Sequence, residues 1–182
     1  GDVFLPYYTN LLRITTLFGC RTQEARLSEW AEWDMEAWVW TVPKAHSKGG
    51  EKIVRPVPEA MRSFIEILHD ETKSSGYLLG VVKNSEAVSQ WGRSVYKKLG
   101  HSEPWTLHDL RRTLATHMNN MGIAPHVVEQ LLGHSMPGVM AIYNRSLYLP
   151  EKLDALNKWY DRLELLAGNH QNVVLLTVAN RD

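Results

Sequence analysis

Apolar side chains crowd residues 7–18, YYTNLLRITTLF, and stop at Gly19. The pattern predicts a buried helix closed by a glycine that can take left-handed backbone. Thr22 is expected to cap a short following helix, whose first turn carries Gln23 and Glu24 where a helix start favours acidic groups. The period then changes to two. AWVWTVP (37–43) alternates aromatic and β-branched residues, HSKGGEK turns at Gly49-Gly50, and KIVRPV (52–57) reads as a return strand. Residues 30–57 therefore predict a small antiparallel sheet of two or three strands. After Pro58 the helical period returns, with Met61, Phe64, Ile65 and Leu68 on one face.

YLLG (77–80) reads as a short extended piece and 85–99 as a basic amphipathic helix. Closely spaced helices are expected at about 107–121, 125–132 and 137–144, with Gly122, Gly133, Gly138, Pro125 and Pro137 marking the breaks. Pro150 opens a further helix whose expected apolar stripe is Leu153, Leu156, Trp159, Leu163 and Leu166. The run NVVLLTVA (172–179) is strand-like with no evident partner inside the domain. The expected fold class is mainly α with a small antiparallel β-sheet (α+β).

Composition narrows the setting. The 182 residues are 44% hydrophobic, ordinary for a globular chain and too apolar for a disordered one. A single cysteine, Cys20, cannot close an internal disulfide, which points to a reducing cytoplasm. No run of about 18 apolar residues suits a membrane span, and the chain does not open with a signal segment. It opens Gly-Asp and reads as a piece of something longer.

The 20 basic and 20 acidic residues give zero formal charge, which on totals argues against a nucleic-acid partner. Their distribution argues the other way. Acidic groups dominate 21–41, whereas 43–62 carries Lys44, Lys48, Lys52, Arg55 and Arg62 against Glu51 and Glu59. Residues 91–117 carry Arg93, Lys97, Lys98, Arg111 and Arg112 against Glu103 and Asp109.

His108 and Arg111 stand one helical turn apart and project from one face. Alone, such a pair is most simply a surface contact beside a core face of Leu110, Leu114 and Met118, and Arg112 with Asp109 a flanking surface pair. His134, after a helix-ending Gly133, fits a histidine interacting with the helix dipole. Tyr143 is one tyrosine among seven. The joint order changes the picture: Arg21 after a helix-ending glycine, a lysine in a hairpin turn, His108-x-x-Arg111, Gly133-His134, then Tyr143.

In that order the chain resembles the catalytic domain of tyrosine recombinases of the phage-integrase type, over about residues 5–166. GCRTQEARLSEWAEWD is similar to the family's first arginine box, which makes Arg21 the first arginine and Glu24 its acidic companion. HDLRRTLATHM resembles the second box, with His108 and Arg111. LLGHSMPGVMAIY resembles the third, with His134 and the nucleophile Tyr143. SKGGEKIVRPV resembles the β-hairpin that carries the catalytic lysine. It selects Lys48, with Lys44 and Lys52 close enough to compete, because Arg55 stands where an apolar residue usually precedes the proline.

The resemblance implies a catalytic domain over 1–167 and a tail at 168–182 that docks in trans on a neighbouring protomer; an edge strand within its own domain is the other reading of that tail. It also implies an amino-terminal core-binding domain that this chain does not contain. The implied partners are double-stranded DNA and further copies of the chain, in a tetrameric synapse on DNA. No membrane, nucleotide, cofactor or metal is expected.

The chemistry explains the residue types. A phosphodiester is anionic, and two arginines offer planar forks of donors that stay charged at any working pH. A tyrosine phenol, with pKa about 10, is a weak nucleophile until cations favour its phenolate. The resemblance assigns the lysine as general acid for the departing 5′ oxygen, with the histidines donating to phosphate oxygens and assisting proton transfer. A 3′-phosphotyrosine bond would keep the phosphodiester's energy for rejoining. There is no phosphate-binding glycine loop and no acidic cluster suited to paired magnesium ions. A zinc site of His108, His117 and His134 is disfavoured by the absence of a cysteine pair or an HExxH motif. Two other readings stand beside strand exchange: a non-catalytic helix-turn-helix DNA-binding module over 122–145, and strand relaxation like that of type IB topoisomerases.

Overall fold

The computed structural model describes residues 4–134 and 147–168. In chain order these form α1 (Pro6–Phe18), α2 (Thr22–Arg26), β1 (Trp33–Asp34), β2 (Val39–Val42), β3 (Ile53–Pro56), α3 (Glu59–Thr72), α4 (Ser85–Lys98), α5 (Leu107–Asn120), α6 (Pro125–Leu132) and α7 (Leu149–Leu166). The mainly helical fold with one small antiparallel sheet is the expected class. The expected helix at 137–144, Tyr143 and the run 172–179 lie outside the described residues.

Helix α1 is the centre of the helical layer and touches α2, α5 and α7. Leu11, Ile14 and Phe18 along it are fully buried, each contributing about 1.5–3 kcal/mol through loss of apolar surface to water. The helix stops where Gly19 turns left-handed at φ 61° and returns its N–H to Thr15 O. A Cβ there would meet Leu114 Cδ1 at 2.8 Å, so glycine also lets α5 approach the turn that carries Arg21.

The sheet runs β1-β2-β3, antiparallel, with Trp33 opposite Trp40 and Trp40 opposite Arg55. Trp33 and Trp40 stack with ring centres 4.7 Å apart and planes 9° from parallel. Val39–Val42 alternates half-buried and buried positions, as its period of two predicts. Every residue of β3 is buried, because α6 and α7 cover that strand.

Two expectations fail in instructive ways. Thr22 does not cap α2; Arg21 is the cap residue, and the Glu24 carboxylate accepts its backbone N–H at 2.7 Å. An acidic side chain three positions on satisfies the cap residue's own N–H, the reciprocal half of a capping box. In α7, Leu156 and Trp159 are buried as expected, but Leu166 is 60% exposed, because the helix runs past the core. Lys152, a polar position in the expected pattern, is only 3% exposed and donates from Nζ to Val54 O at 2.7 Å.

Burial lowers the Lys152 pKa from 10.5 to about 8, and nearby Arg55 pushes the same way. The unfolded chain therefore binds more protons between about pH 8 and 10, and stability rises with pH across that window. From pH 7 to 9 the wild-type chain should gain ~1 kcal/mol relative to Lys152→Met, measured by urea unfolding at each pH. Parallel pH profiles for the two proteins would show that Lys152 carries no buried charge.

Candidate active site

Arg111 is 4% exposed on α5 and reaches three separated parts of the chain. Its Nη1 donates to Gly19 O at 3.0 Å, its Nη2 donates to Leu132 O, and Nη2 also lies 3.0 Å from His134 Nε2. Guanidinium groups only donate, so this contact fits the tautomer in which His134 accepts at Nε2 and carries its proton on Nδ1. Nδ1 then faces Glu129 Oε2 at 2.5 Å. Desolvation brings the Arg111 pKa down to about 10, with the neighbouring Arg21 charge next in effect. Arg111 remains a cation at neutral pH.

A cavity of about 260 Å³ opens beside this junction. Arg21, Lys48, His108 and Arg111 line it together, with Arg26 and Gln23 from α2. Of the hairpin lysines, Lys48 reaches the cavity while Lys44 and Lys52 do not. No carboxylate belongs to its described lining, so the wall is cationic although the whole chain has no net charge. Low-dielectric walls of one sign concentrate an anion there.

His134 lies outside the lining and is joined to it through Arg111. Its position follows from Gly133, which ends α6 in the left-handed region at φ 73°. The His134 N–H returns to Glu129 O at 2.9 Å, and a Cβ on Gly133 would fall 2.3 Å from Ile53 Cδ1 on β3. A Cβ on Gly49, at the hairpin tip beside Lys48, would come within 3.6 Å of Gly133 O. The lysine-bearing hairpin and the histidine-bearing turn are thus neighbours.

Glu24 is joined to Arg21 through the backbone. It is fully buried, holds Arg21 by its backbone N–H, and meets Arg55 Nη1 at 2.8 Å without well-directed hydrogen-bond geometry. Arg55 and Glu129 were not candidates on the sequence. For Arg55 the available signal was one charge inside an otherwise apolar strand; for Glu129 it was an acid facing the histidine across the helix-ending glycine. Among the described residues, the potential metal-ligand group is Glu29, Glu32 and His46, not the histidine trio. The Glu32 carboxylate there already accepts from Glu29 N, Trp40 Nε1 and His46 Nδ1.

Residues 6–149 match the phage integrase family, and the chain belongs to it. Prophage integrase IntZ of Escherichia coli K12 is 29% identical over 175 residues, which cover 93% of this chain and 42% of that protein. The integrase of Shigella phage Sf6 is 26% identical over 168 residues, 90% of this chain and 43% of the other. The chain thus spans less than half the length of these curated relatives. Among solved structures, the integrase of mycobacterium phage Brujita superposes with a TM-score of 0.64 at 15% identity, over 86% of this chain and 52% of that one. The fold is the one these integrases share.

Gly133 and Gly122 offer a matched test of the His134 turn. Both have left-handed backbone, at φ 73° and 78°, but only Gly133 faces a neighbour within 4 Å. Gly133→Ala should lose ~1–3 kcal/mol more stability than Gly122→Ala, the range for overpacking. Equal losses in thermal unfolding would show that the contact with Ile53 does not constrain the turn.

Proposed function

We propose that this chain is the catalytic part of a site-specific DNA recombinase, an integrase that cleaves and rejoins strands through a 3′-phosphotyrosine bond. The observation that supports this most is the carboxylate-free cavity shared by Arg21, Lys48, His108 and Arg111. In this reading a DNA phosphate sits in the cavity. Arg21 and Arg111 hold its non-bridging oxygens, the latter with N–H donors left over beyond those given to Gly19 and Leu132.

The Tyr143 oxygen attacks phosphorus while the bond from phosphorus to the 5′ oxygen breaks. Lys48 gives the departing oxygen its proton, and His108 donates to a phosphate oxygen and helps remove the phenolic proton, while His134 acts through Arg111, from which its Nε2 accepts. A 5′-hydroxyl from another strand reverses the step. Protein cations supply the charge neutralisation, so the mechanism calls for no metal or nucleotide.

The partners are duplex DNA and other copies of the chain, as a tetrameric synapse in the bacterial cytoplasm, with 168–182 docking between protomers. The structural neighbours support the DNA partner. The Tn1549 transposon integrase, 20% identical with a TM-score of 0.56, is in complex with a circular intermediate DNA. A helix-turn-helix module gives no reason for Arg111 to be buried against Gly19, or for Lys48 and Arg21 to share its cavity.

The test uses a library of nicked duplexes carrying many candidate sites and looks for a denaturation-resistant protein–DNA adduct. The wild-type chain forms it, Tyr143→Phe does not, and Arg21→Ala slows it by about 10²–10³. An adduct that survives in Tyr143→Phe assigns the nucleophile elsewhere.

A further inference from the structure

An arginine sits fully buried in the middle of a strand whose other residues, Ile53, Val54 and Pro56, are buried too. Removing a cation from water is strongly unfavourable unless it is paired and hydrogen-bonded. Arg55 has Glu24 as counter-ion at 2.8 Å and lies over the Trp40 ring at 5.0 Å. Those contacts offset its charge, although neither Nη1 nor Nη2 makes a hydrogen bond among the described residues. They leave its remaining bond unexplained: Nε donates to Leu131 O on α6 at 2.9 Å, across 76 residues of chain.

The carboxy end of a helix leaves carbonyls without intrahelical partners and favours cations there. On α6, consecutive carbonyls are taken by two buried guanidinium groups, Leu131 O by Arg55 and Leu132 O by Arg111. The next residues are Gly133, seated against Ile53, and His134, whose Nε2 faces Arg111. Strand β3 therefore grips this turn twice, by shape through Ile53 and by charge through Arg55. Glu24 links the same grip to the Arg21 backbone N–H at 2.7 Å.

We infer that Arg55 is a positioning residue: it fixes the carboxy end of α6, and through that end the orientation of His134 and Arg111 at the cavity. The inference rests on reading the cavity as a phosphoryl-transfer site. Arg55 is not among the residues that line the cavity, and it acts through the helix end it holds.

Arg55→Met/Glu24→Gln removes both buried charges together, so no unpaired charge is left, and the new side-chain amide at position 24 can still accept the Arg21 N–H. Arg55→Lys keeps a cation beside Glu24 but lacks the planar fork that reaches Glu24 and Leu131 at once. Ile65→Ala, in the α3 core, serves as a destabilised control. Two readings are taken: the ring-nitrogen NMR signals of His134, assigned by their loss in His134→Asn, and the rate of adduct formation at saturating nicked duplex.

In the double variant the two His134 nitrogens should move toward the averaged values of exchanging tautomers. Adduct formation should slow by about tenfold or more with duplex Kd changed by less than about twofold. Arg55→Lys should shift both readings the same way and by less, and Ile65→Ala should shift neither. Wild-type nitrogen signals and rate in the folded double variant overturn the inference, as they do in Arg55→Lys if the double variant does not fold. If the wild-type chain forms no adduct, the phosphoryl-transfer reading fails, and the His134 nitrogens alone still decide whether Arg55 positions the turn.

Discussion

Arg111 joins the turn after α1, the end of α6 and His134 through one guanidinium, and the geometry of the site depends on that junction. A buried cation of this kind tolerates little slack. Each unmade bond would leave either a charge or a backbone carbonyl away from water, a loss of about 1–3 kcal/mol per group or more. Arginine suits the place because its rigid planar fork reaches several acceptors while keeping donors free for an anion. The same atoms that stabilise the fold therefore shape the cavity. In the proposed reaction, structural and functional demands fall on one side chain.

Behind that junction lies a second layer of charge. Arg55, Glu24 and Lys152 are all buried, and the two cations converge on β3, one as a strand residue and one by donating to Val54 O. Only one of them has a carboxylate counter-ion among these contacts. The excess among these three is positive, and the described wall of the cavity holds no acid. Zero net charge over 182 residues thus coexists with a concentrated cationic site, since field strength follows placement and dielectric rather than totals. The acidic surplus of residues 21–41 lies largely elsewhere: Glu24 is buried beneath the site, while Glu29 and Glu32 cap a turn near the sheet.

Much of the fold was legible in the sequence because it rests on local periodicity. The helices from Met61 and from Leu107, the hairpin around Gly49 and Gly50, and the stop at Gly19 each follow from short-range rules. Two of the misses come from partners distant along the chain. Lys152 falls outside the expected apolar stripe of its helix, yet it is buried and its acceptor is Val54, 98 residues away. Arg55 looked like an irregular strand residue, and its acceptor on α6 is 76 residues away. The candidate site was legible as an ordered set of residue types, and the hairpin geometry distinguishes Lys48 from Lys44 and Lys52. Glu129 faces the His134 ring only because the Gly133 turn brings the histidine back over the end of α6.

The central claim is that Arg21, His108 and Arg111 act on one phosphate. A crystal structure of Tyr143→Phe bound to its duplex tests it most directly. The account predicts a single phosphate within hydrogen-bond distance of all three side chains, with Lys48 beside its 5′ oxygen. Contacts from these residues to separate phosphates, or a cavity left vacant beneath the bound duplex, would contradict it.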